Sequence, residues 1–190
     1  EVKKAKTLLS ACTTPVTEGM EVFTNSPRAL AGRRNSVELI LSNHNKNCLS
    51  CIRNQNCELQ KLCEDLGIRE NKFEGEHTKP SYDNFSYGII RDTSKCVLCG
   101  RCIDTCNKIQ GLGVLGLENR GFNTIVAPIY NVSLKDVNCM QCGQCVINCP
   151  TGALSEKEDI HDVIKALANP DKHVIVQTAP AVRASLGEEF

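Results

Sequence analysis

The chain has 190 residues, of which 13 are cysteine, and its 22 Lys and Arg balance its 22 Asp and Glu. The zero net charge argues against a general binder of nucleic acid or of anionic membranes. No apolar run reaches the roughly 18 residues that a membrane-spanning helix needs. With five Phe, three Tyr and no Trp, the chain has little large apolar volume, so something besides hydrophobic burial must stabilise part of it.

The first predicted elements are a short strand over 21–24 and a helix that begins at Pro27. Ser26 is a favoured N-cap residue, and proline fits the first helical position. Apolar residues such as Val37 and Leu41 recur at helical spacing, which places His44 on the buried face at the helix end.

Four potential metal ligands lie within 14 residues after this helix: His44, Cys48, Cys51 and Cys57. Three cysteines and one histidine are an ordinary zinc set. The alternative is an iron–sulfur cluster with one imidazole ligand, which is less negative than an all-thiolate cluster and therefore has a higher potential. The cysteines further along the chain favour the cluster. Cys63, on a short amphipathic helix, is interpreted as a packing residue.

Eight later cysteines form two copies of the spacing C-x2-C-x2-C-x3-C, which begin 43 residues apart. Each copy has a glycine after its second cysteine, and Pro150 follows only the second copy. In such a repeat, a tight loop wraps three corners of a cubane cluster, and the fourth cysteine serves the other cluster. We predict one [4Fe–4S] cluster at Cys96, Cys99, Cys102 and Cys149, and another at Cys106, Cys139, Cys142 and Cys145.

Zinc and disulfide bonds are the alternatives for these eight cysteines. Structural zinc sites usually use two separated C-x2-C pairs rather than runs of four cysteines. Disulfides are disfavoured because 13 is an odd number and because cysteines three apart in a loop rarely bridge one another.

Further secondary structure is predicted around and after these cysteines. Strands are expected at 87–91 and 123–129, and a helix is expected after a capping box formed by Ser155 and Glu158, ending before Asn169. A buried strand at 173–178 and a helix with Pro180 near its start complete the chain. Because the chain begins at Glu1 and stops within this last helix, we expect it to be part of a longer polypeptide.

These residues together resemble one known group of proteins. Residues 10–20 resemble the end of a plant-type [2Fe–2S] domain, with Cys12 as its last ligand, and the set from His44 to Cys57 resembles a [4Fe–4S] module with one histidine ligand. The large subunit of respiratory complex I, NAD-dependent formate dehydrogenases and multi-cluster [FeFe]-hydrogenases share both modules. The double-cubane unit narrows the choice to the last two. The segment 173–190 is similar to the opening of the [FeFe]-hydrogenase catalytic domain, and no cysteine follows Cys149.

The resemblance implies an α+β fold made of four parts. These are the tail of a [2Fe–2S] domain (1–27), a histidine-ligated [4Fe–4S] module (28–75), a ferredoxin-like domain with two [4Fe–4S] clusters (76–169) and the start of the catalytic domain (170–190). Ala179 and Pro180 would line the pocket of the catalytic H-cluster.

The resemblance also implies a function for the whole polypeptide. It would be a cytoplasmic [FeFe]-hydrogenase, and these residues would carry single electrons between a redox partner and the H-cluster. The partner would be a ferredoxin, NAD(P)-linked flavin and iron–sulfur subunits, or both, in a hetero-oligomeric complex. The alternative is the equivalent relay of an NAD-dependent formate dehydrogenase. The [2Fe–2S] cluster and the H-cluster would need residues outside this chain.

Overall fold

The computed structural model describes residues 1–187 and has the mixed helix and strand content expected from the sequence. The chain separates into a compact unit over residues 1–157 and a second unit after it. The domain boundaries expected from the resemblance, at residues 27, 75 and 169, stay predictions. The helices are α1 (Pro27–Ser42), α2 (Glu58–Asp65), α3 (Arg101–Asp104), α4 (Gln144–Ile147), α5 (Ile160–Ala168) and α6 (Pro180–Gly187), and the strands are β1 (Tyr82–Asp83), β2 (Ile89–Asp92), β3 (Gly116–Glu118), β4 (Ile125–Ala127) and β5 (Leu154–Glu156).

Helix α1 begins as its sequence predicts. The Ser26 hydroxyl accepts a hydrogen bond from the backbone N–H of Ala29 at 3.1 Å, and Pro27 occupies the first helical position. The helix ends at Ser42, so His44 lies two residues beyond it. Helix α2 packs its buried residue Leu59 against Val37 of α1. This small helical pair therefore supports the loop that carries His44 and the first cysteines.

A three-stranded antiparallel sheet in the order β1-β2-β5 joins distant parts of the chain. Asp83 of β1 and Leu154 of β5 both pair with Arg91 of β2. A separate antiparallel pair, β3 and β4, is formed within the insertion between the two cysteine repeats. Because β2 precedes the first repeat and β5 follows the second, the sheet brings the two repeats to one place.

Cysteines form part of the main core. Cys102, Cys106 and Cys149 are buried and pack with apolar residues, including Leu115 and Val146. These thiols take positions that aliphatic side chains would fill in an ordinary domain, and their reactivity rather than their packing usually explains such a choice. The core of the first unit is therefore built around the predicted ligands.

Two predicted local structures differ from the observed ones. The segment 21–24 forms only an isolated bridge between Val2 and Val22 rather than a strand. The capping box is also wrong, because Ser155 lies in β5 and pairs with Ile90, so its backbone belongs to the sheet, and Asp159 is the N-cap of α5. Sheet pairing across the chain outweighed a local helix signal.

The second unit contains α5 and α6. Helix α5 ends at Ala168, before Asn169 as predicted, and α6 begins at Pro180. The strand predicted at 173–178 is absent, and within residues 1–187 no other segment pairs with it. Residues 188–190, part of the predicted catalytic-domain segment, lie outside the described residues. Within the described part of the chain, no helix has both the length and the apolar character required to cross a membrane.

Candidate iron–sulfur sites

The two cysteine loops share one backbone conformation. Gly100 and Gly143 have left-handed φ angles of 75° and 71°, and Leu98 and Gln141, two residues earlier in each loop, have φ angles of 53° and 52°. A left-handed conformation costs a non-glycine residue about 1–2 kcal/mol. Successive turns of this kind direct backbone N–H groups into a concavity that favours anions, and the N–H of Leu98 donates to Cys96 Sγ at 3.4 Å. The sequence repeat is thus also a conformational repeat.

The first cavity is lined by the four cysteines predicted for one cluster, Cys96, Cys99, Cys102 and Cys149. Three of them come from the first loop and the start of α3. Cys149 arrives from the second repeat, just after α4, and its Sγ lies 3.8 Å from Thr151 Oγ1. Thr151 donates in turn to the backbone carbonyl of Lys95 at 2.7 Å, which links the two repeats beside this cavity.

The second cavity is lined by the other four cysteines, Cys106, Cys139, Cys142 and Cys145. Cys106 lies on a π-helical turn, Thr105–Ile109, which directly continues α3. The other residues that line this cavity are apolar or uncharged, and include Ile89 and Leu134. Each predicted set of four is crossed, with three cysteines from one repeat and the fourth cysteine of the other, and each lines its own cavity.

The third cavity, of about 360 Å³, is lined by His44, Cys48, Cys51 and Cys57. The Nδ1 atom of His44 is buried and has no hydrogen-bond partner within the described residues. Cys63 of α2 lines the same cavity while also packing against the apolar cluster of Val37, Leu59 and Ile68. The packing expected for Cys63 is observed, and its position beside the predicted ligands is a feature that the sequence did not indicate.

Burial controls the protonation of these groups. Burial, together with the neighbouring cysteines, raises the pKa of Cys102 and of Cys145 to about 12. Burial also lowers the pKa of His44, which favours the neutral imidazole that binds metal. The metal-free thiols of Cys102 and Cys145 are therefore protonated at neutral pH, and iron binding must release those protons.

The arrangement of each donor set around a cavity is compatible with a cubane cluster. Within residues 1–187, no three Cys, His, Asp or Glu side chains are grouped closely enough to hold one metal ion. The four ligands of a cubane bind four different irons, so they need to surround a cavity rather than meet at a point. The zinc alternative therefore gains no support from the described side chains.

Comparisons with known proteins agree with this chemistry. Residues 33–72 match the family described as the NADH-ubiquinone oxidoreductase-G iron-sulfur binding region, and residues 95–153 match the 4Fe-4S dicluster domain. The first match contains the set of the third cavity, and the second match contains both crossed sets of four cysteines.

The whole chain also aligns with hydrogenases. It is 52% identical over all 190 residues to the NADP-reducing hydrogenase subunit HndD of Solidesulfovibrio fructosivorans, of which it covers 32%. Over its whole length, the chain is therefore similar to part of a hydrogenase subunit. It is also 39% identical, over 96% of its length, to iron hydrogenase 1 of Clostridium pasteurianum, of which it again covers 32%. The chain thus spans about a third of the length of these curated relatives.

A solved structure has a similar fold. The crystal structure of an NAD+-reducing [NiFe]-hydrogenase in the H2-reduced state superposes with a TM-score of 0.72 at 24% sequence identity. The match covers 78% of this chain and 64% of the other. At this level of identity, the similarity concerns the fold alone.

The remaining predicted site residues are Cys12, Ala179 and Pro180. Cys12 is exposed, with its Sγ 3.1 Å from the Ser10 hydroxyl. Pro180 is the first residue of α6, and Ala179 directly precedes it. Their roles stay predictions.

Two residues beside the cavities were not identified from the sequence. Arg91 lines the first cavity, and Gly152 lines the third. Gly152 is far in sequence from the ligands of the third cavity, and Arg91 lies on the strand before the first repeat. Neither residue is part of a recognisable motif. Alternating burial along β2 was the available signal for Arg91, but it does not reveal a charged side chain pointing inward.

Proposed function

We propose that this chain is the electron-relay part of an [FeFe]-hydrogenase that carries single electrons between a redox partner and the H-cluster. The observation that carries the proposal is the sorting of the cysteines. Each of the three sets derived from sequence spacing lines its own cavity. The identity to two hydrogenases over nearly the whole chain supports the same conclusion.

Three [4Fe–4S] clusters would supply one-electron transfer at these cavities. The first would be held by Cys96, Cys99, Cys102 and Cys149, the second by Cys106, Cys139, Cys142 and Cys145, and the third by His44, Cys48, Cys51 and Cys57. The protein itself positions the thiols, excludes water with the apolar lining and tunes each potential through nearby charge and hydrogen bonds. No acid–base catalyst is needed within this chain.

The whole polypeptide would contain further centres and partners. Cys12 would complete a [2Fe–2S] site in the domain that ends near residue 27, and Ala179 and Pro180 would line the H-cluster pocket of a domain that begins near residue 170. Ferredoxin or NAD(P)-linked flavin and iron–sulfur subunits would exchange electrons with this cytoplasmic protein. The name of the 52%-identical relative, an NADP-reducing hydrogenase subunit, supports a nicotinamide-linked partner.

Anaerobic purification of this chain tests the relay. Three cubanes require about twelve irons and twelve acid-labile sulfides per chain, and reduction with dithionite should produce the EPR spectra of several S = 1/2 centres. A colourless protein that retains zinc after anaerobic reconstitution with iron and sulfide would overturn the proposal.

A second experiment tests the activity of the full polypeptide. The anaerobically matured protein should evolve hydrogen from reduced methyl viologen and should not oxidise formate. Formate oxidation without hydrogen evolution would assign the relay to a formate dehydrogenase instead. The iron content is measured in the separate purification experiment. Formate oxidation would therefore contradict only the hydrogenase activity and not the proposed electron relay.

A further inference from the structure

Arg91 is a buried cation with few partners. Its residue is only 2% exposed, in the middle strand of the three-stranded sheet. One nitrogen, Nη2, donates to Asn131 Oδ1 at 2.9 Å. Within the described residues, Nε and Nη1 have no hydrogen-bond partner. A buried guanidinium is costly unless an anion compensates its charge.

The nearest buried carboxylate does not pair directly with Arg91. Asp83 lies opposite Arg91 in the sheet, but its oxygens accept hydrogen bonds from the Ser133 hydroxyl at 2.8 Å and from the backbone N–H groups of Leu134 and Phe85. No ion pair between Arg91 and a carboxylate occurs in residues 1–187. Asp83 therefore attracts Arg91 through space while its own hydrogen bonds are made elsewhere.

The first and second cavities, which we call the ferredoxin-type cavities because the two cysteine repeats line them, differ in the charged residues around them. Arg91 lines the first cavity together with the predicted ligands, of which Cys96 is close enough to influence the guanidinium. Asp92 also lines this cavity, but Lys95 lies 3.3 Å from its carboxylate and balances its charge. The residues that line the second cavity are uncharged apart from their thiols.

We propose that Arg91 is the buried counter-ion of the cluster at Cys96, Cys99, Cys102 and Cys149, and that its charge raises the reduction potential of this cluster above that of the cluster in the second cavity. The inference rests on the proposed function. Reduction by a one-electron donor makes the cluster one unit more negative, and the fixed positive charge of Arg91 stabilises that state. The guanidinium keeps its proton throughout, so no proton accompanies the electron. Arg91 would thereby determine which ferredoxin-type cluster holds the electron.

Potentiometric titration monitored by EPR tests this role in the anaerobically purified, iron-loaded protein. Arg91→Gln removes the charge, Arg91→Lys keeps it, and Arg120→Gln removes an equal charge at an exposed position. In Arg91→Gln, the ratio of reduced to oxidised first cluster at a fixed potential should fall about tenfold, a shift of about 59 mV for one electron. Arg91→Lys and Arg120→Gln should titrate like the wild type, as should the second cluster in every variant.

Two results would overturn the proposal. One is an Arg91→Gln protein with full iron content and an unchanged midpoint, and the other is an Arg91→Lys protein that shifts as far as Arg91→Gln. If Arg91→Gln does not fold, the wild type decides the matter, since its first cluster must have the higher midpoint of the two. Cys99→Ser and Cys142→Ser, which each remove a ligand within one loop, identify which EPR signal belongs to which cluster. Loss of the proposed function would be visible separately, as a wild-type protein without iron.

Discussion

Gly152 lies directly against the thiol of Cys51. A Cβ atom at Gly152 would be 2.6 Å from Cys51 Sγ, well inside van der Waals contact. Gly152 follows Cys149 by three residues, so one short segment lines the first cavity with Cys149 and the third cavity with Gly152. The segment therefore brings the proposed histidine-ligated cluster next to the first ferredoxin-type cluster.

Gly152→Ala should disturb the third cluster selectively. An unligated Cys51 side chain can rotate away from an added methyl group, but a thiolate bound to iron is held in place. We expect up to four irons per chain to be lost, or the loaded protein to be destabilised by about 1–3 kcal/mol through overpacking. Iron analysis and chemical denaturation measure these effects. Gly116→Ala is the matched control, because a Cβ there meets no atom within 4 Å, and equal behaviour of the two variants would refute the prediction.

His44→Cys should retain the third cluster and lower its potential. Thiolate in place of neutral imidazole makes the cluster more negative, so its reduced state is less stable. We expect a shift of more than about 59 mV, a tenfold change in the one-electron equilibrium, together with an altered EPR spectrum. Redox titration measures both. His77→Cys, the same exchange at an exposed linker position, should leave the potential unchanged, and unaltered redox behaviour of His44→Cys would exclude His44 as a ligand.

The crossed assignment predicts different results for the fourth cysteine of each repeat. Cys149→Ser should impair the cluster bound by the first loop, and Cys106→Ser should impair the cluster bound by the second, because each fourth cysteine lines the other loop's cavity. EPR shows which cluster is impaired, and iron content measures how much of it is lost. Cys63→Ser, beside the third cavity, should keep all three clusters. Signal loss in the wrong cluster would contradict the crossed arrangement.

The ion pair between Glu58 and Arg101 should contribute little to stability. Two guanidinium nitrogens contact the carboxylate, with Nη2 2.8 Å from Oε2, but both side chains are about half exposed. A double-mutant cycle with Glu58→Gln and Arg101→Gln should give a coupling of about 0.2–1 kcal/mol, reduced by salt.

This small coupling should also depend on pH. The hydrogen bond from Arg101 lowers the pKa of Glu58. The contribution is therefore present at neutral pH and is lost as the pH falls through the lowered pKa of the folded protein. A coupling well above 1 kcal/mol, or one that is insensitive to salt, would contradict a surface pair.

Much of the candidate site could be predicted because its chemistry is local. Three cysteines of each of the two cubanes in the repeats lie within seven residues, and the left-handed glycine after the second cysteine recurs in both loops. The N-cap at Ser26 is equally local, since its hydroxyl bonds an N–H only three residues away. Where a local signal competed with long-range pairing, as at Ser155, the prediction failed because the sheet supplied hydrogen bonds that the short pattern did not include.

By itself, the sequence determined which residues could hold clusters and how many sets they form, since thiolate and imidazole ligands must follow the spacing that cubane geometry imposes. Only the tertiary structure decided what surrounds those sets. The contact of Gly152 with Cys51 and the burial of Arg91 beside the first cavity both depend on segments that the sheet and the crossed repeats bring together. Such contacts arise from packing between distant parts of the chain, for which no short spacing provides a signal.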